Sequence, residues 1–287
     1  PIAAKLINAY PDPTRAGLAG NYSYNGPEWQ HNQTTDFRVD HRLSNSDTIF
    51  ARYSYNLTNG RTPSQCPATT IDGLAIDPTC NTEGTGGIYS GPYNSYAHNV
   101  GANWQRVASS TLITELKFGF NLPYTAASRP NEDSSCDLAL KLGFRNVNYA
   151  SDPITCGIPW LQMSPTSYAA IGDPTFIPMV TEDHNWQVAG SVTKMMGAHS
   201  IKMGGGAVLR MFAVQQSQSP RSLWDFNASV TNSGAGGAGG NTFASFLLGL
   251  PDLTIRVKSW RFGMHTGHCL GCNSIPRVFS RSMAMPC

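Results

Sequence analysis

Four soft donors fall close together near the end of the chain: His265, His268, Cys269 and Cys272. Thiolates and imidazoles in such a run are what a tetrahedral zinc site uses. Adjacent His268 and Cys269 fit one tetrahedron poorly, however, and no second Cys-x-x-Cys completes the set, so an accidental cluster is the better reading. Asp36 and Asp40 are spaced as a pair of acids for hydrolysis would be. They alternate with Arg38 and Arg42 on one strand, which makes them part of a charge ladder instead. The glycines from Gly234 to Gly240 lack the Gly-Lys-Ser/Thr ending and the βαβ setting of a phosphate cradle, and read as a flexible loop. No nucleophile elbow, His-Glu-x-x-His or catalytic Cys/His signature is present. The chemistry points to no enzyme, no cofactor and no resident metal.

The remaining cysteines are more informative. Cys66 with Cys80, and Cys136 with Cys156, are two close pairs in Gly- and Pro-rich sequence. In an oxidising compartment they would staple loops; the alternative is that every cysteine is a free thiol.

The elements around these residues alternate with period two. In Thr35–Leu43, Phe37, Val39, His41 and Leu43 share one face, and Asp36, Arg38, Asp40 and Arg42 the other. A polar turn at Ser44–Asp47 leads to a return strand, where Ile49, Ala51, Tyr53 and Tyr55 oppose Phe50, Arg52 and Ser54. A second hairpin sets Val100, Ala102 and Trp104 against Asn99, Gly101, Asn103 and Gln105. After a turn at Ala108–Ser110, Leu116, Phe118 and Phe120 oppose Glu115, Lys117 and Gly119. A third puts Trp186, Val188 and Val192 against Asn185, Gln187 and Ser191. It turns at Met196–His199 and returns with Ile201, Met203, Ala207 and Leu209 opposite Lys202 and Arg210. Gly204, Gly205 and Gly206 weaken that last strand or mark a bulge.

Between the hairpins lie long stretches, Leu57–Tyr96 and Leu122–Val180, and a third begins at Phe212. The second contains one helix-like run, Asp137–Phe144. Antiparallel strands put all the short turns at one end and all the long loops at the other. Compact soluble domains mostly use short connections, whereas outer-membrane barrels sort them in this way. Only 13% of residues are charged and the formal net charge is +2, so nucleic acid is not an expected partner. The longest apolar run, Phe243–Leu250, is too short for a membrane helix, but barrel strands need only about 9–11 residues. The predicted fold is all-β: an antiparallel meander of long hairpins forming part of a transmembrane β-barrel in the outer membrane. Arg38, Asp40, Arg52, Glu115, Lys117 and Gln187 would face the lumen. Tyr53, Tyr55, Trp104, Phe118, Phe120 and Trp186 would face lipid. The competing readings are a secreted soluble β-domain that binds carbohydrate through exposed Tyr89, Tyr93 and Trp160, and a passive porin-like barrel.

These segments also resemble a family. The Thr35–Asn56 hairpin is similar to paired strands of Oar-like TonB-dependent transporters. Pro1–Pro13 resembles the stretch preceding it, Thr111–Asn121 a later strand, and His184–Gly205 another hairpin with a Gly-His turn. Asn241–Asp252 resembles a short apolar element ahead of the next hairpin. The likeness runs in order from Pro1 to about Ile255. It implies a barrel of about 22 strands with a plugged lumen, uptake of a bulky substrate, and TonB as partner. By that pattern residues 1–34 lead into the barrel, 35–255 form an interior piece of it, and no plug or TonB box is recognisable. Ligand contacts would fall in Leu57–Tyr96, Leu122–Val180 and Phe212–Thr242. After Pro251 the likeness fades, and 256–287 read as an aberrant tail, out of frame with the rest.

Overall fold

The computed structural model describes residues 2–81, 90–132, 135–149, 152–164, 168–234 and 239–257, and the backbone of 260–269 and 277–280. Helix α1 spans Ile2–Leu6. The strands that follow are β1 (Trp29–Arg42), β2 (Asp47–Thr62), β3 (Thr69–Ile71), β4 (Leu74–Ile76), β5 (Thr79–Asn81), β6 (Gly91–Ser109) and β7 (Leu112–Ala127). After helix α2 (Leu138–Leu142) come β8 (Trp160–Met163), β9 (Ala170–Ile171), β10 (Met179–Met196), β11 (His199–Gln216) and β12 (Leu223–Phe226). Helix α3 (Thr242–Leu248) precedes β13 (Leu253–Ile255), β14 (Trp260–Cys269) and β15 (Arg277–Ser280).

Eight strands form one antiparallel sheet in the order β1-β2-β6-β7-β10-β11-β14-β15, open at both edges. Its connections are of two kinds. Short turns join β1 to β2, β6 to β7 and β10 to β11. In the first, Ser44 Oγ accepts from the backbone N–H of Ser46 and Asp47 and donates to the Asp47 carboxylate at 2.7 Å. The third turns at Gly197, whose φ of +59° suits glycine. Long loops join the same strands at the opposite end.

The six strands from β1 to β11 in this sheet run 14 to 19 residues, longer than a bilayer requires. Register fixes which residues share a face. One row runs Arg38, Arg52, Gly101, Gly119, Gln187, Val208; the next runs Asp40, Phe50, Asn103, Lys117, Ala189, Gly206. On the other face the rows are Phe37, Tyr53, Val100, Phe120, Trp186, Leu209 and Val39, Ala51, Ala102, Phe118, Val188, Ala207. One face is polar and the other apolar, and no layer covers either. Phe37 and Val39 are 63% and 67% exposed, and no apolar side chain of these six strands is buried. A water-soluble sandwich would bury that face against a second layer.

The apolar core lies elsewhere, in the long connections. Ala3, Leu6 and Ala9 from the N-terminal segment pack with Ile71 and Ile76 of the first loop and with Leu142, Phe144, Ile158, Leu161 and Ile171 of the second. Phe226 and Phe246 from the third complete it, their rings meeting edge-on at 5.4 Å. A small sheet, ordered β13-β12-β8-β9-β5, runs through this core. Its β8 and β12 pair in parallel although they come from different loops. Helix α3 starts at Asn241, whose side chain accepts from the N–H of Phe243 and Ala244, and ends on left-handed Gly249. Helix α2 ends on Gly143 in the same way, inside the expected 137–144 run. The connections thus form a folded cap on the loop end of the sheet. Cys66–Cys80 and Cys136–Cys156 are disulfide-bonded within it, with Cα separations of 5.5 and 4.7 Å. Among the described residues no helix is long and apolar enough to cross a membrane.

Several expectations are corrected. Strand β1 begins at Trp29 rather than Thr35, β2 runs on to Thr62, and β6 begins at Gly91. The first two connections therefore shrink to 63–90 and 128–178, while the third, 217–259, is longer than expected. The end added to β2, Thr58–Thr62, is polar on both faces, so period-two alternation does not reveal it. The Gly204–Gly206 run carries no bulge, because Gly204, Gly205 and Gly206 pair in continuous register with Ser191, Gly190 and Ala189. Its glycines allow close approach: a Cβ at Gly204 would stand 2.7 Å from Gly190 O. The sheet also passes the expected boundary at 255, since β14 pairs with β11 from Gln216↔Trp260 to Ala207↔Cys269. There Trp260, Phe262 and Met264 do alternate with Arg261, Gly263 and His265.

Candidate functional site

Two surfaces are candidates for function: the polar face of the large sheet and the cap above it. The polar face is concave and encloses a hollow of about 740 Å³. Its lining includes Arg38, Arg52, Glu115, Lys117 and Gln187, five residues that sequence alternation singled out. The sixth, Asp40, holds Arg38 in a two-pronged pair, with Nε–Oδ2 and Nη2–Oδ1 both at 2.7 Å. The Arg38 guanidinium also lies 4.2 Å from the centre of the Phe50 ring. Lys117 Nζ stands 3.0 Å from Glu115 Oε1. Arg52 lies close over Gly101, and Gln187 over Gly119, where a side chain on Gly119 would have to displace it. Nearer the cap, Arg210 donates from Nε to Asn185 Oδ1 at 2.7 Å. Asp36 shares this face with Arg38 and with its cross-strand partner Ser54, consistent with a charge ladder.

The apolar face carries the other six residues that the sequence singled out. Phe120 and Trp186 meet at 4.2 Å between centroids, with Phe118 at 6.1 Å from Trp186. Tyr53 Oη is 2.7 Å from His98 Nδ1, and the Tyr55 ring is 4.9 Å from that of His98. Tyr96 stacks on Tyr124 at 4.6 Å. Tyr96, His98 and Tyr124 escaped the sequence reading because Tyr96 fell in the expected loop and Tyr124 just beyond the expected strand. Trp104 stands apart, near the short turns, where its indole N–H donates to Asp47 at 3.2 Å. Along β2, the outward residues from Ile49 to Leu57 are all apolar or aromatic. At about 3.3 Å per residue and the usual tilt, that band is roughly 20 Å tall, close to the apolar belt of a transmembrane barrel.

The cap is joined to the sheet by a buried polar relay. Arg61, at the loop end of β2, pairs with Asp77 of the first loop at 2.9 Å. The backbone N–H of Asp77 donates to Asn131 Oδ1 at 2.7 Å, and Asn131 Nδ2 donates back to Asp77 O. Asn131 also donates to Asp173 from its backbone and side chain. Asp173 in turn faces Arg221 of the third loop, at 4.0 Å. Burial pushes the Asp173 carboxyl up from the usual carboxylate range, against the pull of Arg221 and the N–H donors. Burial likewise brings the Arg221 guanidinium down to about 10, with Asp173 opposing and Arg129 adding to the shift. Burial also raises the Tyr10 phenol, which donates to Ala169 O. None of these contacts was readable from sequence, since they join residues far apart in the chain.

Trp160, expected to be an exposed sugar platform, is buried in β8. Tyr93 folds over Gly60, and Tyr89 lies outside the described residues. The side chains of His265, His268 and Cys269, and all of Cys272, also lie outside them. Among the described residues no three His, Cys, Asp or Glu side chains gather as metal ligands.

A sheet with an apolar convex face, a polar concave face, short turns at one end and a folded cap at the other defines the wall of a transmembrane barrel. The sequence agrees: the chain belongs to the outer membrane beta barrel domain family, which it matches over residues 1–266. It is therefore an outer-membrane protein, and the soluble carbohydrate-binding alternative is set aside. Searches of curated proteins and of solved structures gave no match.

Proposed function

We propose that the chain is part of a TonB-dependent receptor that takes up a bulky substrate across the outer membrane. In this reading the cap captures ligand outside the cell, and the concave wall of Arg38, Asp40, Arg52, Glu115, Lys117 and Gln187 lines its path. Tyr53, Tyr55, Phe118, Phe120 and Trp186 meet lipid, and Trp104 marks the periplasmic rim. The cap carries the argument. Connections that bury their own core, close two disulfides and pair strands across loops form a receptor surface. A passive pore has no need of one. The likeness of the hairpins to Oar-like transporters supports the same reading.

Reconstitution of the full protein in liposomes tests it. The receptor reading expects no leak of small sugars or ions, and cellular uptake that stops when TonB is deleted. Steady leakage, with uptake indifferent to TonB, would establish the porin-like alternative.

A further inference from the structure

Among the described residues, the base of the cap holds more buried positive charge than its carboxylates neutralise. Arg129 follows β7 and is 5% exposed. Its Nε has no hydrogen-bond partner, and no ion pair engages it among the described residues. The other buried arginine, Arg221, also leaves its Nε without a hydrogen-bond partner, but its terminal nitrogens are engaged. Arg221 donates to the carbonyls of Ile154, Pro174 and Ile177 at 3.2, 2.8 and 2.7 Å, and faces Asp173.

No hydrogen bond joins Asp173 to Arg129 among the described residues. Asp173 already accepts from Asn131 N, Asn131 Nδ2 and Ile158 N, and stands opposite Arg221. Asp77 is taken by Arg61. The three groups nevertheless share one place. A Cβ on Gly157 would strike Asp173 Oδ2 and stand 3.1 Å from both Arg129 Cδ and Arg221 Cδ. Two arginine side chains therefore flank a single carboxylate, leaving one cation in excess among the described residues. A buried charge without a partner is costly enough that folded proteins rarely keep one. Two buried hydroxyls in the adjoining chain also lack partners: Ser219, two residues before Arg221, and Ser90. Ser90 precedes Gly91, which packs on the Arg129 backbone.

Guanidinium presents parallel N–H donors that match an oxyanion. We infer that Arg129, with Arg221 as the second cation, binds a small oxyanion at the base of the cap. The ligand is a phosphate, sulfate or carboxylate group, free in solution or at the end of a larger molecule. The inference does not depend on TonB-driven uptake.

The test is thermal unfolding of the detergent-purified protein, with chloride exchanged for inorganic phosphate, sulfate or acetate at fixed ionic strength. The expected result is a saturable rise in Tm with at least one of them. Affinity should fall at least tenfold in Arg129→Lys, which keeps the charge but loses the fork, and vanish in Arg129→Gln. If Arg129→Gln fails to fold, the wild-type and Arg129→Lys titrations decide. Octyl phosphate separates the sources: a response to it as well as to phosphate indicates an end group, and a response to phosphate alone a free ion. No saturable shift in the wild type, or equal affinity in Arg129→Lys, would overturn the inference.

Discussion

The wall and the cap are held together by opposite means. The wall buries no apolar side chain on its long strands; its backbone ladders are internal, and each face is left to a different surrounding. The cap has a closed core, two disulfides and buried ion pairs, as a small water-soluble domain would. A wall in hydrocarbon gains nothing from a core, since lipid is as apolar as leucine, and needs only satisfied backbone groups. Loops in water must bury something to stay ordered. The boundary between the two regimes lies where β2 passes from Leu57 to Arg61.

That contrast can be broken from either side. The largest effect is expected in the cap: Phe246→Ala should cost about 3–5 kcal/mol of cap stability. Limited proteolysis should then cut the connections while the long strands remain protected. Cleavage spreading into the strands would show that wall and cap unfold together. In the wall, Val188→Arg should cost about 2–4 kcal/mol, whereas Ala189→Arg, its neighbour on the concave face, should cost far less. Heat-modifiable gel mobility and urea titration in detergent would read both, and equal losses would contradict the assignment of faces. Replacing Cys66 and Cys80 by serine opens a closure with a sequence separation of 14, a loss of up to about 3 kcal/mol. It should lower the cap's melting transition and leave the wall's unchanged. Smallest of all, Lys117→Ala removes a half-exposed pair with Glu115 and should shift stability by less than about 1 kcal/mol.

The sequence revealed the wall far better than the cap, for a physical reason. Alternation is a local signal, and in a sheet with one apolar face it marks strand and face together. It put Arg38 and Arg52 on one face, and Phe120 and Trp186 on the other, without any knowledge of partners. It failed at Thr58–Thr62, where both faces are polar, and at Trp260–Cys269, where the run is short and rich in glycine. The cap has no such signal. Its strands are as short as Ala170–Ile171, and β8 finds its parallel partner in another loop. The Asp77–Asn131–Asp173–Arg221 relay depends on contacts that no local pattern announces. The close cysteine pairs and the helix-like run at 137–144 were the features of the cap that the sequence displayed.

The most direct test of the central claim follows the two faces along β10. Residues 184–192 are changed to cysteine one at a time in the full protein, with Cys269, Cys272 and Cys287 replaced by serine. Each is labelled with an environment-sensitive fluorophore in liposomes. Nitroxide lipids should quench labels at His184, Trp186, Val188, Gly190 and Val192. Aqueous iodide should quench those at Asn185, Gln187, Ala189 and Ser191. Quenching by iodide at every position, or lipid quenching on the Gln187 face, would contradict a barrel wall with its polar side turned inward.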